Sequence, residues 1–137
     1  MFQLRNNSKK INYRDGVAAV ETAILLPVLV LLTFGSLELS NMIFLKQGLS
    51  IAAYEGAKSA TSPGTTTAQA TARIQEILSA RSISDATISI TPTVGGSTPR
   101  GTMVTVSITS AGNSVGILTT RMFTRGAIQV QSTMVRQ

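Results

Sequence analysis

The stretch Gly16-Val17-Ala18-Ala19-Val20-Glu21-Thr22-Ala23-Ile24-Leu25-Leu26-Pro27-Val28-Leu29-Val30-Leu31-Leu32-Thr33-Phe34 decides how the whole chain is read. From Val17 to Phe34 it is apolar apart from Glu21, Thr22, Pro27 and Thr33. A helix of this length spans about 27 Å at 1.5 Å per residue, close to the ~30 Å hydrocarbon core of a bilayer. The core helix of a soluble protein is seldom so long and so uniformly apolar, so the run reads as a membrane span. A secretory signal has a shorter apolar region, roughly 7 to 15 residues, ending in an A-x-A-like cleavage site. This run leads instead into Gly35-Ser36-Leu37-Glu38, which offers no such site, and it is expected to stay in the mature protein.

Glu21 is the residue that does not fit the span. A charged side chain at the centre of a membrane helix costs roughly 2.5 to 3.5 kcal/mol on insertion scales, and such groups usually mark a functional pairing. The other reading is a carboxylate near enough to the helix end to reach the headgroups, helped by the N-terminal helix dipole. The residues alone leave both open. Pro27 is expected to kink the helix or free a carbonyl locally, which a membrane span tolerates.

Residues 1–16 form a polar, basic leader without periodicity, carrying Arg5, Lys9, Lys10 and Arg14 against Asp15. Together with the eight basic and five acidic residues that follow, they account for the net charge of +6. A chain this basic raises the question of nucleic acid. However, the later charges are spread thinly and no basic stripe is interleaved with aromatics, so that footprint is missing. The basic block is better explained as a positive-inside signal that keeps the N-terminus in the cytoplasm.

The helix is expected to continue past the bilayer to residue 61. Leu37, Met42, Ile43, Phe44, Leu45, Leu49 and Ala53 fall largely on helical spacing. Gly48, Ala52, Gly56 and Ala60 recur every four residues, a stripe of small side chains that lets another element approach closely. Ser62-Pro63-Gly64-Thr65-Thr66-Thr67 is a break. Residues 68–81 then read as a short amphipathic helix, with Ala70, Ile74, Ile77 and Leu78 on one face and Thr66 or Thr67 as N-cap. After it the period changes to two. Ala86, Ile88 and Ile90 alternate with Thr87, Ser89 and Thr91; a Gly-Gly loop over residues 94–101 follows; then Val104, Val106 and Ile108 return as the second strand of a hairpin. A third strand is predicted over 126–135, with Ile128, Val130 and Met134 on one face, while 110–125 follow no single period. The fold class is therefore α+β: a long transmembrane helix, a short second helix and a three-stranded antiparallel sheet. Three regions follow: leader 1–16, extended helix 17–61 and distal domain 62–137. A distal core with so few aromatics is thin alone, and packing on the helix or on neighbouring subunits would supply the missing burial.

The chain has no Cys and no His, and Asp15, Glu21, Glu38, Glu55, Glu76 and Asp85 lie in separate elements without paired-carboxylate spacing. Ser and Thr are plentiful, yet Lys is the one base type available to activate them. Gly95-Gly96-Ser97 sits inside a hairpin and reads as turn geometry rather than a phosphate-cradling loop. No enzyme, cofactor, metal or small-molecule substrate is read from these residues.

Gly16-Val17-Ala18-Ala19-Val20-Glu21, with Pro27, Gly35 and Glu38, and then Ala52-Ala53-Tyr54-Glu55-Gly56-Ala57-Lys58, resembles the TadE-like family. These are pseudopilins or minor pilins of the tight-adherence (Flp-type) branch of type IV pilus machinery. The resemblance covers roughly residues 14–60. It implies that a membrane aspartyl prepilin peptidase cuts between Gly16 and Val17. It further implies an inner-membrane location, with other pilin subunits and an assembly platform as partners. Cleavage there would also place the new α-amine of Val17 one helical turn from the Glu21 carboxylate, from which a role for both in subunit assembly is expected. Two positions depart from the family pattern: Thr22 stands where the major pilins usually have an aromatic, and Lys58 where Arg is frequent. The first departure and the added distal domain point away from a bulk filament subunit. The alternative from a different class is an uncleaved single-pass scaffold or envelope adaptor.

The charge asymmetry generates a topology prediction. Four basic residues precede the span, while only Lys46 and Lys58 follow it at comparable distance, so the distal region is expected outside the cytoplasm. Alkaline phosphatase fused after Gln137 should be active, and a cytoplasm-dependent reporter at the same site should be silent; the reverse pattern would refute the orientation.

Overall fold

The computed structural model describes residues 13–112 and 127–137, with side chains from Gly16 onward. Helix α1 runs unbroken over Tyr13–Thr61, with Pro27 inside it. It begins before Val17, so the last residues of the basic leader are already helical. Helix α2 spans Thr67–Ala80. Strands β1 (Ala86–Thr91), β2 (Met103–Ser110) and β3 (Ile128–Val135) form one antiparallel sheet in the order β1-β2-β3. The α+β class read from the change of period is the one observed. Contacts divide the chain into two compact units, one ending at Ser36 and one covering Leu37–Gln137.

In the first unit every described side chain is exposed, on all sides of the helix. Ile24, Leu31 and Leu32 are each about two-thirds exposed or more, at 67%, 72% and 66%.

The second unit has its own core. The buried face of α1 contributes Leu45, Leu49, Ala52, Ala53 and Ala57, packed with Ile74 and Leu78 of α2, Ile83 after it, and Val106 and Ile108 of β2. A second cluster joins Ala60, Ala70, Val94 and Val104. Burial alternates along β2, and its inward residues Val104, Val106 and Ile108 are wholly buried. The strand pairs run without a break from Ala86↔Ser110 to Thr91↔Thr105 and from Met103↔Val135 to Ser110↔Ile128.

Helix α2 starts where the threonine run predicts. Thr66 is the N-cap, and a capping box closes around it: Gln69 N donates to Thr66 Oγ1 at 3.4 Å and Thr66 N donates to Gln69 Oε1 at 3.0 Å. This satisfies two otherwise orphaned donors. Thr67 fixes the helix start to the β1–β2 loop, since its Oγ1 accepts from Val94 N at 2.7 Å.

Several sequence expectations shift. Of the apolar residues on helical spacing, Leu45, Leu49 and Ala53 are buried, whereas Leu37, Ile43 and Phe44 are exposed at 52%, 49% and 63%. Beyond Leu45 and Leu49, the α1 face that packs is built of alanines and glycines, whose short side chains let α2 and the sheet close on it from short range. The third strand starts at Ile128, two residues later than predicted. Most of 110–125, including Ile117, Leu118, Met122 and Phe123, lies outside the described residues.

The glycines of α1 form a graded test of this packing. A Cβ at Gly35 would meet nothing within 4 Å. One at Gly48 would meet the movable ends of Ile83 (2.9 Å) and Arg81 (3.3 Å), whereas one at Gly56 would collide with Ile74 close to its branch point. Alanine raises helix propensity by about 1 kcal/mol over glycine, while overpacking a core costs about 1–3 kcal/mol. Thermal unfolding in detergent should therefore leave Gly35→Ala unchanged or raised, Gly48→Ala near wild type and Gly56→Ala clearly lowered. A Gly56→Ala protein as stable as Gly35→Ala would contradict the close approach.

Candidate functional site

The residues singled out by sequence fall into two groups. The first lies in the N-terminal part of α1. Gly16 sits in helix with open space where a Cβ would stand, and Val17 is 56% exposed. Glu21 is exposed and is the only ionisable residue between Gly16 and Leu37. Val17 and Glu21 are four residues apart on an unbroken helix, which puts them one above the other on the same face.

The hydroxyls of this stretch are turned onto the helix itself. Thr22 Oγ1 donates to Ala18 O at 2.9 Å, Thr33 Oγ1 to Leu29 O at 2.8 Å, and Ser36 Oγ to Thr33 O at 2.8 Å. In an apolar surrounding a hydroxyl with no acceptor is costly, and bonding to the carbonyl three or four residues back removes that cost. Pro27 has no N–H to donate to the carbonyl of Ala23, yet the helix carries on through it. The helix is long and apolar enough to cross a membrane. What distinguishes Glu21 is that it alone brings charge into this surface.

The second group is the small-residue stripe. Gly48, Ala52, Gly56 and Ala60 are all buried. Their neighbours belong to the same chain: Ile83 and Arg81 over Gly48, Ile74 and Val106 over Gly56, and Ala70, Val94 and Val104 in the cluster that holds Ala60. The stripe is thus used inside the distal unit.

Sequence reading passed over Arg136, which is 4% exposed. Its Nη1 donates to Ala60 O at 3.1 Å and its Nη2 to Gly95 O at 3.0 Å, while its backbone N donates to Thr102 O at 2.9 Å. Ala60 lies in the last turn of α1, where carbonyls have no helical partner and a cation is favoured by the helix dipole. One guanidinium therefore caps α1 and pins the β1–β2 loop to it. The signal was present in the alternation: Met134 faces inward and Val135 outward, so the next residue returns to the inner side. Glu38, 7% exposed at the start of the distal unit, was likewise not read as buried.

Comparison with known families bears on the first group and part of the second. The model of the family described as TadE-like protein matches residues 16–58, so the resemblance read in the sequence is shown over that segment. Neither a curated protein nor a solved structure matches the chain. The match starts at Gly16 and takes in Glu21, Pro27, Gly48, Ala52 and Gly56. It marks residues 16–58 as similar to that family and does not extend to the sheet.

Arg136 yields a stability prediction. Truncating it leaves the buried Ala60 carbonyl without this donor and strips Gly95 O of its charged partner, although Thr98 N still donates to it, at about 1–3 kcal/mol for the lost charge-assisted bonding. Arg136→Lys keeps the charge but has no fork to reach both carbonyls, so it should restore less than half. Urea unfolding in detergent should rank wild type above Arg136→Lys above Arg136→Ala, with exposed Arg100→Ala within about 0.5 kcal/mol of wild type. An Arg136→Ala protein as stable as Arg100→Ala would show that the clamp contributes nothing.

Proposed function

We propose that this chain is a minor pilin or pseudopilin of a tight-adherence, type IV-like pilus system, cut after Gly16 by a membrane prepilin peptidase and assembled with Val17 as its first residue. The observation that carries the reading is a fully exposed apolar helix bearing a single carboxylate one turn from Val17, inside the segment that matches the TadE-like family. Its partners are the peptidase, other pilin subunits and the inner-membrane platform that assembles them. The precursor sits in the cytoplasmic membrane with its N-terminus inside and its distal unit outside.

The chemistry of processing suits the local residues. A protease cleft takes an extended chain, so the helix that begins at Tyr13 has to open around the scissile bond. Glycine is the residue that resists this least: it lowers helix propensity by about 1 kcal/mol relative to alanine and adds no side chain to obstruct the cleft.

Cleavage then changes the electrostatics. It creates a cation, the α-amine of Val17, at the edge of the apolar helix and on the face that carries Glu21. The two charges pair within one subunit or, when helices bundle, with the neighbour's counterpart. Removing one partner of a buried pair costs about 3–5 kcal/mol because the other charge is stranded. Across subunits only one stagger brings amine and carboxylate together, so the pair sets axial register. This gives a reason to keep an expensive residue in the span.

The prediction separates processing from assembly. Gly16→Leu should accumulate as full-length precursor. Glu21→Ala and Glu21→Gln should insert and be cleaved as wild type, yet be absent from sheared, purified pili on immunoblots. Glu21→Gln matters most, because it keeps shape and removes charge. Normal recovery of either Glu21 variant in the pilus fraction would reduce Glu21 to an interfacial carboxylate.

A further inference from the structure

The two outer strands of the sheet are not alike. β1 is six residues long, is flanked by Asp85 and Pro92, and has α2 packed beside it. Charged residues, prolines and covering helices are the usual means of protecting a sheet edge. Among the described residues no helix lies beside β3, and the one charge that flanks it, Arg136, is turned inward onto the carbonyls of Ala60 and Gly95. The strand's eight residues, Ile128-Gln129-Val130-Gln131-Ser132-Thr133-Met134-Val135, contain no charge and no proline, and their register with β2 has no bulge. Among the described residues no segment runs along its outer edge. Among the described residues the core beneath is also unevenly covered: Val104, Val106 and Ile108 of β2 are wholly buried, whereas Ile128, Val130 and Met134 are only half-buried.

We infer that β3 is an interaction edge, paired antiparallel with β3 of a second copy to make one continuous six-stranded sheet. A bare edge offers backbone donors and acceptors that only an extended chain can satisfy in full. A second copy suits this edge for a reason of charge. In a symmetric pair identical strands face each other, and a charged residue near the dyad would meet its own kind; β3 carries none.

The pleat fixes the register. Inward residues must lie opposite inward ones, since a one-residue slip sends every side chain to the wrong face. Pairing Gln131 with the partner's Gln131 sets Gln129 opposite the partner's Thr133, Ile128 opposite the partner's Met134 and Val130 opposite the partner's Ser132. All three half-buried apolar residues then lie under the seam. The other register of equal overlap, centred on Ser132, leaves Ile128 unpaired and sets Gln129 against the partner's Val135. The inference does not depend on the pilus reading.

The absence of cysteine makes the test direct. In detergent-solubilised full-length protein, oxidation of Gln131→Cys should give a disulfide-linked dimer as the main product. Gln129→Cys and Thr133→Cys should each stay monomeric alone and cross-link when the two are mixed. Gln131→Lys, which sets two cations at the dyad of an exposed position, should shift the mass from dimer to monomer with an unchanged circular dichroism spectrum. The inference is overturned if Gln131→Cys cross-links no more than Thr87→Cys on the far strand. It is equally overturned if Gln129→Cys alone cross-links as readily as the mixture, or if the native mass is monomeric or unaffected by Gln131→Lys.

Discussion

A single continuous helix has to satisfy two different surroundings, and the rest of the molecule follows from that constraint. Up to Ser36 the side chains of α1 are exposed and apolar on every side, with the hydroxyls of Thr22, Thr33 and Ser36 bonded back to the helix. Such a surface is stable where the solvent is itself apolar and where all backbone groups are paired within the segment. From Leu37 onward the same helix has a packed face of Gly48, Leu49, Ala52, Ala53, Gly56, Ala57 and Ala60. There the helix backbone lies close to α2 and β2, and the thin core of the distal unit is completed by α1 itself. A domain with so few large side chains gains its burial through short distances, which explains why Gly56 has no room for a side chain beneath Ile74.

The C-terminal end of the helix receives the complementary treatment. The guanidinium of Arg136 meets the carbonyls of Ala60 and Gly95, and Gln137 N donates to Thr61 O at 3.3 Å. The two residues that follow β3 thereby close the far end of α1, while the capping box at Thr66 starts α2. Opposite charge at a helix terminus is worth up to ~2 kcal/mol when partly buried. The guanidinium on one side of Ser62-Pro63-Gly64 and the neutral capping box on the other make the break between the helices sharp.

Most of this was legible in the residues because each element carries its own period. The apolar run from Val17 to Phe34 needs no partner to be recognised, and the change from a helical period to alternation at Ala86 marks the first strand to the residue. The threonine run before Ala68 announced its cap. Legibility failed where the deciding fact is distance in space. Leu37, Ile43 and Phe44 share helical spacing with Leu45 and Leu49, but only the latter two lie on the face that α2 and the sheet cover. Arg136 looked like a surface charge, and its burial depends on a carbonyl 76 residues away. The site residues divide in the same way: Gly16, Val17 and Glu21 were visible as a local pattern, whereas the use of the small-residue stripe inside the chain required the fold.

On the proposed reading the N-terminal part of α1 becomes a charged-ended apolar helix only after the chain is cut. That change is tested most directly by the intact mass of the untagged protein extracted from the membranes of cells with a functional pilus system. The account predicts a chain whose first residue is Val17, with the leader through Gly16 removed. A mass that includes Met1 to Gly16 under those conditions would contradict it and leave the chain as an uncleaved membrane anchor.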